Sequence, residues 1–255
     1  MSTLSFTQSE YARKAALEFI QHSIPASLWN KHVNEVRQLK QSCTQHPLFE
    51  HPILTRLNNQ MLSLDQLKFI HLNYFTAIVK TFTDILSMVI YQALQLEQHE
   101  NIHHADRVHA KAHARYLLSL NLIDELGFNT HELSLSSPAK SHLIYYMDLL
   151  NSLQVQPLNS EQVVLEAHAL NQFIQDQLSS YNGLLLILAC AELQVIQFSE
   201  ALRVNLEKYN PEFTEGYYAC HGVVDHSEKL ANDNNHEEDL WALLTQSYSC
   251  DQQSQ

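Results

Sequence analysis

Sixteen histidines occur in this 255-residue chain, and their spacing raises metal chemistry first. His99, His103, Asp106, His109 and His113 step by 4, 3, 3 and 4 residues. On one helix over 97–126 all five would project from a single stripe. Glu97, Glu100 and His104 step by 3 and 4 on a neighbouring face. Helical bundles place a metal in their core with imidazoles and carboxylates three or four residues apart, although the solvated face of a surface helix has the same pattern. A second set, His221, Asp225 and Glu228, is interleaved with Tyr217, Tyr218, Val223 and Val224. Such neighbours imply burial, and a bare buried charge costs several kcal/mol. These groups therefore need a metal or a structural His–Asp pairing. Glu192 follows nine uncharged residues, Gly183 to Ala191, and needs a partner from elsewhere in the fold, either a metal or Arg107 or Arg115.

Three segments thus offer nitrogen and oxygen ligands, and none offers a thiolate cluster. Such a set suits iron or manganese better than structural zinc. Two metals take about six protein ligands in a bundle core, and Asp84 or His71 could add one from the segment at 64–95. Nucleophilic alternatives are weak: no G-x-S-x-G elbow and no Gly-rich phosphate loop occurs. Cys220 adjoins His221, but neighbours on a helix point about 100° apart, which does not make a dyad. HExxH is absent, and Glu-x-x-His is matched once, at Glu100-Asn101-Ile102-His103.

The elements that must position these residues are helices. Only four glycines are present and 45% of residues are hydrophobic; strand-rich folds and phosphate loops need more positive-φ turns than that. Apolar periodicity and capping residues predict helices over 8–22, 26–43, 53–60, 64–95, 97–126, 138–152, 159–180, 184–208 and 213–247. Ser63 caps the 64–95 helix and Gly127 ends the 97–126 helix. The expectation is one all-α domain over 1–248 with a disordered tail at 249–255.

A formal charge of −13 and the lack of a Lys/Arg cluster make nucleic acid or an anionic membrane surface unsuitable partners. No apolar run reaches ~18 residues, and Gly183–Ala191 reads as a buried helix segment. The cysteines Cys43, Cys190, Cys220 and Cys250 lack CxxC spacing, which, without an export signal, implies reduced thiols and a cytoplasmic setting. The expected partner is a small-molecule substrate, and a homodimer is left open.

Several of these residues also carry a resemblance. Ala191-Glu192 followed by Tyr218-x-x-His221-x-x-x-Asp225-x-x-Glu228 resembles the heme-oxygenase-like diiron oxidases, whose last core helix carries His-x-x-x-Asp-x-x-His after a helix with a metal-binding Glu. His113 with Leu126-Gly127-Phe128, Asp106 seven residues before His113, and His46-Pro47-Leu48 with Leu62-Ser63-Leu64-Asp65-Gln66-Leu67 are similar to other parts of that family. The resemblance spans about residues 46–240 and departs at Glu228, where the family has His. It implies a heme-oxygenase-like helical bundle and two Fe2+ held by His104, Asp106, His113, Glu192, His221, Asp225 and Glu228, with His109 in reserve. It also implies O2 as co-substrate in oxidation of an amine, amino acid or fatty acid. Two other readings remain. One is a metal-free enzyme resembling the thiaminase-like or quinone-cofactor-synthesis branch of the fold. The other is a non-enzymatic helical interaction protein.

Overall fold

Sparse glycine and long apolar periodicities produce helices along almost the whole chain. The computed structural model describes residues 6–129, 132–156, 160–221 and 230–248. Among the described residues there is no strand, and the architecture is an all-α bundle. In chain order its helices are α1 (Phe6–His22), α2 (Ala26–Thr44), α3 (Pro52–Asn58), α4 (Leu64–Ala77), α5 (Phe82–Gln92), α6 (Arg107–Glu125), α7 (His142–Ser152), α8 (Leu165–Asp176), α9 (Tyr181–Glu207), α10 (Tyr217–Cys220) and α11 (Leu230–Ser247). One apolar cluster runs from Ile20 of α1 through Leu67, Ile85, Leu118, Tyr146 and Leu188 to Leu243 of α11. The long helix α9 packs against α3, α5 and α11; α6 packs against α1, α5 and α11. The tail expected at 249–255 lies outside the described residues.

Several expected helices are interrupted, and three of the interruptions matter to the site. The segment predicted as one helix over 64–95 breaks at Ile78, where φ is −144°, and resumes as α5 after a short 3₁₀ turn, Val79–Thr81. β-Branched residues at 78, 79 and 81 lose side-chain freedom in a helix, and the Thr81 hydroxyl donates to the Ile78 carbonyl at 3.1 Å. By length and composition Leu64–Gln98 and Tyr181–Glu207 would each suffice to cross a membrane, against the sequence expectation; the first contains this break.

The second interruption replaces the long helix over 97–126. A 3₁₀ segment ends at Gln98, residues 99–103 are non-helical, and α6 begins only at Arg107. Here tertiary anchoring overrides period: Ile102 is buried in the core, and the His103 amide donates to the Ser23 carbonyl after α1. His99 and His103 therefore do not share a helical stripe with His109 and His113. The third replaces the helix expected over 213–247. The structure has a 3₁₀ turn, Pro211–Thr214, then the single turn of α10 and finally α11. Gly216 sits at φ +61° before α10, a conformation that L side chains adopt at a cost.

The end of α6 is closed by a Schellman motif. The Phe128 amide donates to the Ile123 carbonyl at 3.0 Å and the Gly127 amide to Asp124 at 2.9 Å, with Gly127 at φ +82°. A Cβ at Gly127 would lie 2.5 Å from the Ser137 carbonyl oxygen and 2.6 Å from the Ser141 nitrogen. Only glycine lets the returning chain come that close, and this approach sets the start of α7 beside the end of α6.

Candidate metal centre

The residue that this turn exposes to α7 is Glu125, on the last turn of α6, and the residue it meets is His142, the first of α7. Ser141 caps α7 by accepting from the Ile144 amide. His142 Nδ1 and Glu125 Oε1 are 2.8 Å apart, and both side chains are buried. Burial alone would depress the His142 imidazole. The facing Glu125 carboxylate, helped by hydrogen bonding to Cys220 and Glu125, outweighs it and holds the imidazole well above its ordinary value. Burial likewise pushes Glu125 up, but the His142 cation outweighs it and brings the carboxyl below its usual range. At neutral pH the metal-free pair is imidazolium and carboxylate.

His221 completes the group from the chain after α10. Its ring stands edge-on to His142 at 4.6 Å and tilted to Tyr217 at 4.6 Å. Burial, and then the positive His142, push its pKa down to about 3, so it is a neutral imidazole with a free lone pair. Its Nδ1 is out of solvent and has no hydrogen-bond partner. Ligand atoms of Glu125, His142 and His221 all lie within 4.8 Å of one another.

These three residues line a small cavity of about 30 Å³ together with Glu192 and Tyr217, with room for about one water or ion. Glu192 comes from the middle of α9 and is buried. Asn121, one turn before Glu125 on α6, donates its Nδ2 to Glu192 Oε1 at 3.2 Å. Arg107 and Arg115 point elsewhere, donating to the carbonyls of Ile102 and of Ile90 and Tyr91. Ile78, Val79 and Phe82, set by the break between α4 and α5, form the apolar wall. From α11, His236 is close enough for the Asp124 and Glu125 carboxylates to act on it, though burial dominates and lowers its pKa.

One carboxylate and two imidazoles, converging in a small cavity with an unsatisfied imidazole nitrogen, match the donors that divalent transition metals prefer. A buried Glu–His–His group that could hold a metal is therefore present. No family model matches the chain, and neither does any curated protein.

Of the ligands expected from sequence, the structure brings Glu192 and His221 to one cavity. The others fall elsewhere or outside the described residues. His104 is exposed in a 3₁₀ turn and Asp106 is half-buried at the start of α6. His113 stacks on Phe19 of α1 at 4.1 Å and 8°, with its Nδ1 on the His109 carbonyl at 2.8 Å, and the ring of His109 is 6.0 Å from the same Phe19. Asp225 and Glu228 lie outside the described residues. Asp84 is exposed on the first turn of α5. His71 is buried with both ring nitrogens engaged, Nδ1 on the Leu67 carbonyl and Nε2 on the Tyr218 hydroxyl, each at 2.6 Å. Burial pushes its pKa down to about 4.

Sequence reasoning missed Glu125 and His142. Glu125 sits at the end of a helix, where an acid is ordinary, and His142 lies 17 residues away. The available signal was the Gly127 turn followed by Ser141 as a cap: it implies that α6 and α7 meet end to start, with an acid and a histidine flanking the junction.

Proposed function

We propose that this chain is a non-heme iron oxidase or oxygenase, with Glu125, His142, His221 and Glu192 as its metal-binding side chains. The observation that carries the reading is the convergence of one carboxylate and two imidazoles within 4.8 Å, one imidazole nitrogen being buried without a partner. Bound iron supplies oxidation of a substrate by O2, chemistry that protein side chains lack. The resemblance of the Glu192 and His221 segments to the diiron oxidases favours iron over manganese. A second iron would draw on Asp225 and Glu228. We place the protein in the cytoplasm, acting on a small molecule.

The chain's own residues do the rest. Glu125 orients the His142 ring and holds a proton on it in the metal-free state, so metal binding releases that proton. Asn121 orients Glu192 through its amide, an outer hydrogen bond of the kind that fixes ligand geometry. Ile78, Val79, Phe82 and Val195 form the apolar part of the cavity lining. Tyr217 and Tyr74 stand at its open side, and burial raises both phenols, Tyr217 well above the ordinary value. They are neutral hydrogen-bonding groups.

The test is anaerobic loading with Fe(II), metal analysis after desalting, and O2 uptake on mixing. Retained iron that is lost in His142→Ala and His221→Ala, but kept in His113→Ala, supports the assignment. Iron absent from the wild type, or unaffected by the first two substitutions, refutes it.

A further inference from the structure

The small polar cavity shares Tyr74, Ile78, Ala191 and Tyr217 with a second, much larger space. This chamber of about 880 Å³ lies among α4, α8 and α9, within the ~300–1,000 Å³ range of small-molecule sites. Its wall is dominated by Ile70, Phe173, Leu186, Ile187, Phe198 and Leu202. Its polar groups are largely engaged within the protein. Asn73 holds the Phe69 and Gln162 carbonyls and the Val164 amide, and Gln194 meets the Tyr74 hydroxyl.

Charge decides the class of occupant. Among the described residues that line the chamber there is no Lys, Arg or His, and the one charged side chain is Glu166, exposed on the first turn of α8. The inner end opens toward Glu125 and Glu192, and toward His142, which is already paired with Glu125. An anionic head group therefore finds no counter-charge along the chamber wall and no free one at the inner end of the metal-free protein, and burying an unpaired anion is costly. An uncharged hydroxyl or carbonyl meets Tyr74 and Tyr217 at the junction, which can donate or accept.

We infer that the substrate is an uncharged, strongly apolar molecule of the long-chain alcohol or aldehyde class, its body in the α4–α8–α9 chamber and its polar head directed past Tyr74 and Tyr217. The assignment of this molecule as substrate rests on the oxidase reading; its binding does not. The binding test therefore uses the full chain without metal, in chelator, by titration calorimetry with 1-decanol and decanoate as probes. The expected result is saturable binding of 1-decanol at one site per chain, with decanoate at least tenfold weaker. Ile187→Trp, which fills the chamber away from the metal cavity, should weaken 1-decanol at least tenfold. Leu170→Trp, on the half-open α8 wall, serves the same purpose should the first variant not fold. Equal or tighter binding of decanoate overturns the inference, as does the absence of 1-decanol binding or its indifference to both substitutions. Loss of the metal reading alone would leave these affinities unchanged.

Discussion

Replacing Glu125 by Gln should unbalance the site in a way that depends on pH with a known sign. In the wild type His142 has a raised pKa because Glu125 faces it. Its contribution to stability is complete below the unfolded value of about 6.5 and is lost only as pH rises through the higher folded value. Glu125 is depressed by the same contact, so its contribution holds above about 4.5 and is lost as pH falls through its folded value. The variant keeps the shape but not the charge, and burial then drives His142 to the neutral form. Between the variant's lowered value and the wild type's raised one, native wild type holds one more proton than the native variant. The stability gap should therefore widen by about 1.4 kcal/mol for each unit of acidification. Breaking a buried pair costs up to about 3–5 kcal/mol; because His142 can neutralise, we take the lower end, about 3 kcal/mol at pH 6.5. At roughly 2–4 °C per kcal/mol for a chain of this size, Tm should fall by about 6–12 °C. Thermal unfolding of metal-free protein at pH 6.5 and 7.5 measures both quantities. A gap that does not change with pH would refute the account, because it would mean that Glu125 does not hold a proton on His142.

Metal affinity should rise with pH, by up to about tenfold per unit below the raised His142 pKa, because binding displaces that proton; competition with a chelator across pH 6.5–8 checks this. Gly127→Ala puts a Cβ against Ser137 and Ser141 backbone at a positive φ and should lower stability by at least about 1–3 kcal/mol, with loss of metal since His142 moves with the turn; denaturant unfolding and metal analysis read the two. Asn121→Leu removes the donor to buried Glu192 and should weaken metal binding by about 10–100-fold without abolishing it. His71→Phe strands the Tyr218 hydroxyl, costing about 1–3 kcal/mol in stability, while metal stoichiometry stays at the wild-type value.

The all-α fold was legible in the sequence because glycine scarcity and 3.6-residue periodicity act locally, and among the described residues most of each long periodic segment is helical. The breaks were less legible. The break at Ile78 had a local signal, the β-branched residues at 78, 79 and 81 with the Thr81 hydroxyl on the Ile78 carbonyl, whereas residues 99–103 leave the helix for a tertiary reason, the buried Ile102 and the His103 amide on the Ser23 carbonyl. The second reason is not present in the residues' own neighbourhood.

The site was half legible, and the dividing line is physical. Glu192 and His221 stood out because each is polar amid apolar neighbours, so burial and hence partnership could be argued from sequence. Glu125 and His142 also have apolar neighbours, but each sits at a helix end, where a polar residue is ordinary, and they meet only when the Gly127 turn folds α7 back onto α6. The dense histidine run failed for the converse reason. Its members are engaged one by one in separate local contacts, as His113 is on Phe19 and the His109 carbonyl and His99 on the Ser247 carbonyl, and they do not converge on one point. The histidine that matters combines a buried, unpartnered Nδ1 with a carboxylate and a second imidazole within 4.8 Å: His221, set by a glycine-started turn beside an acid brought from a helix end nearly a hundred residues earlier.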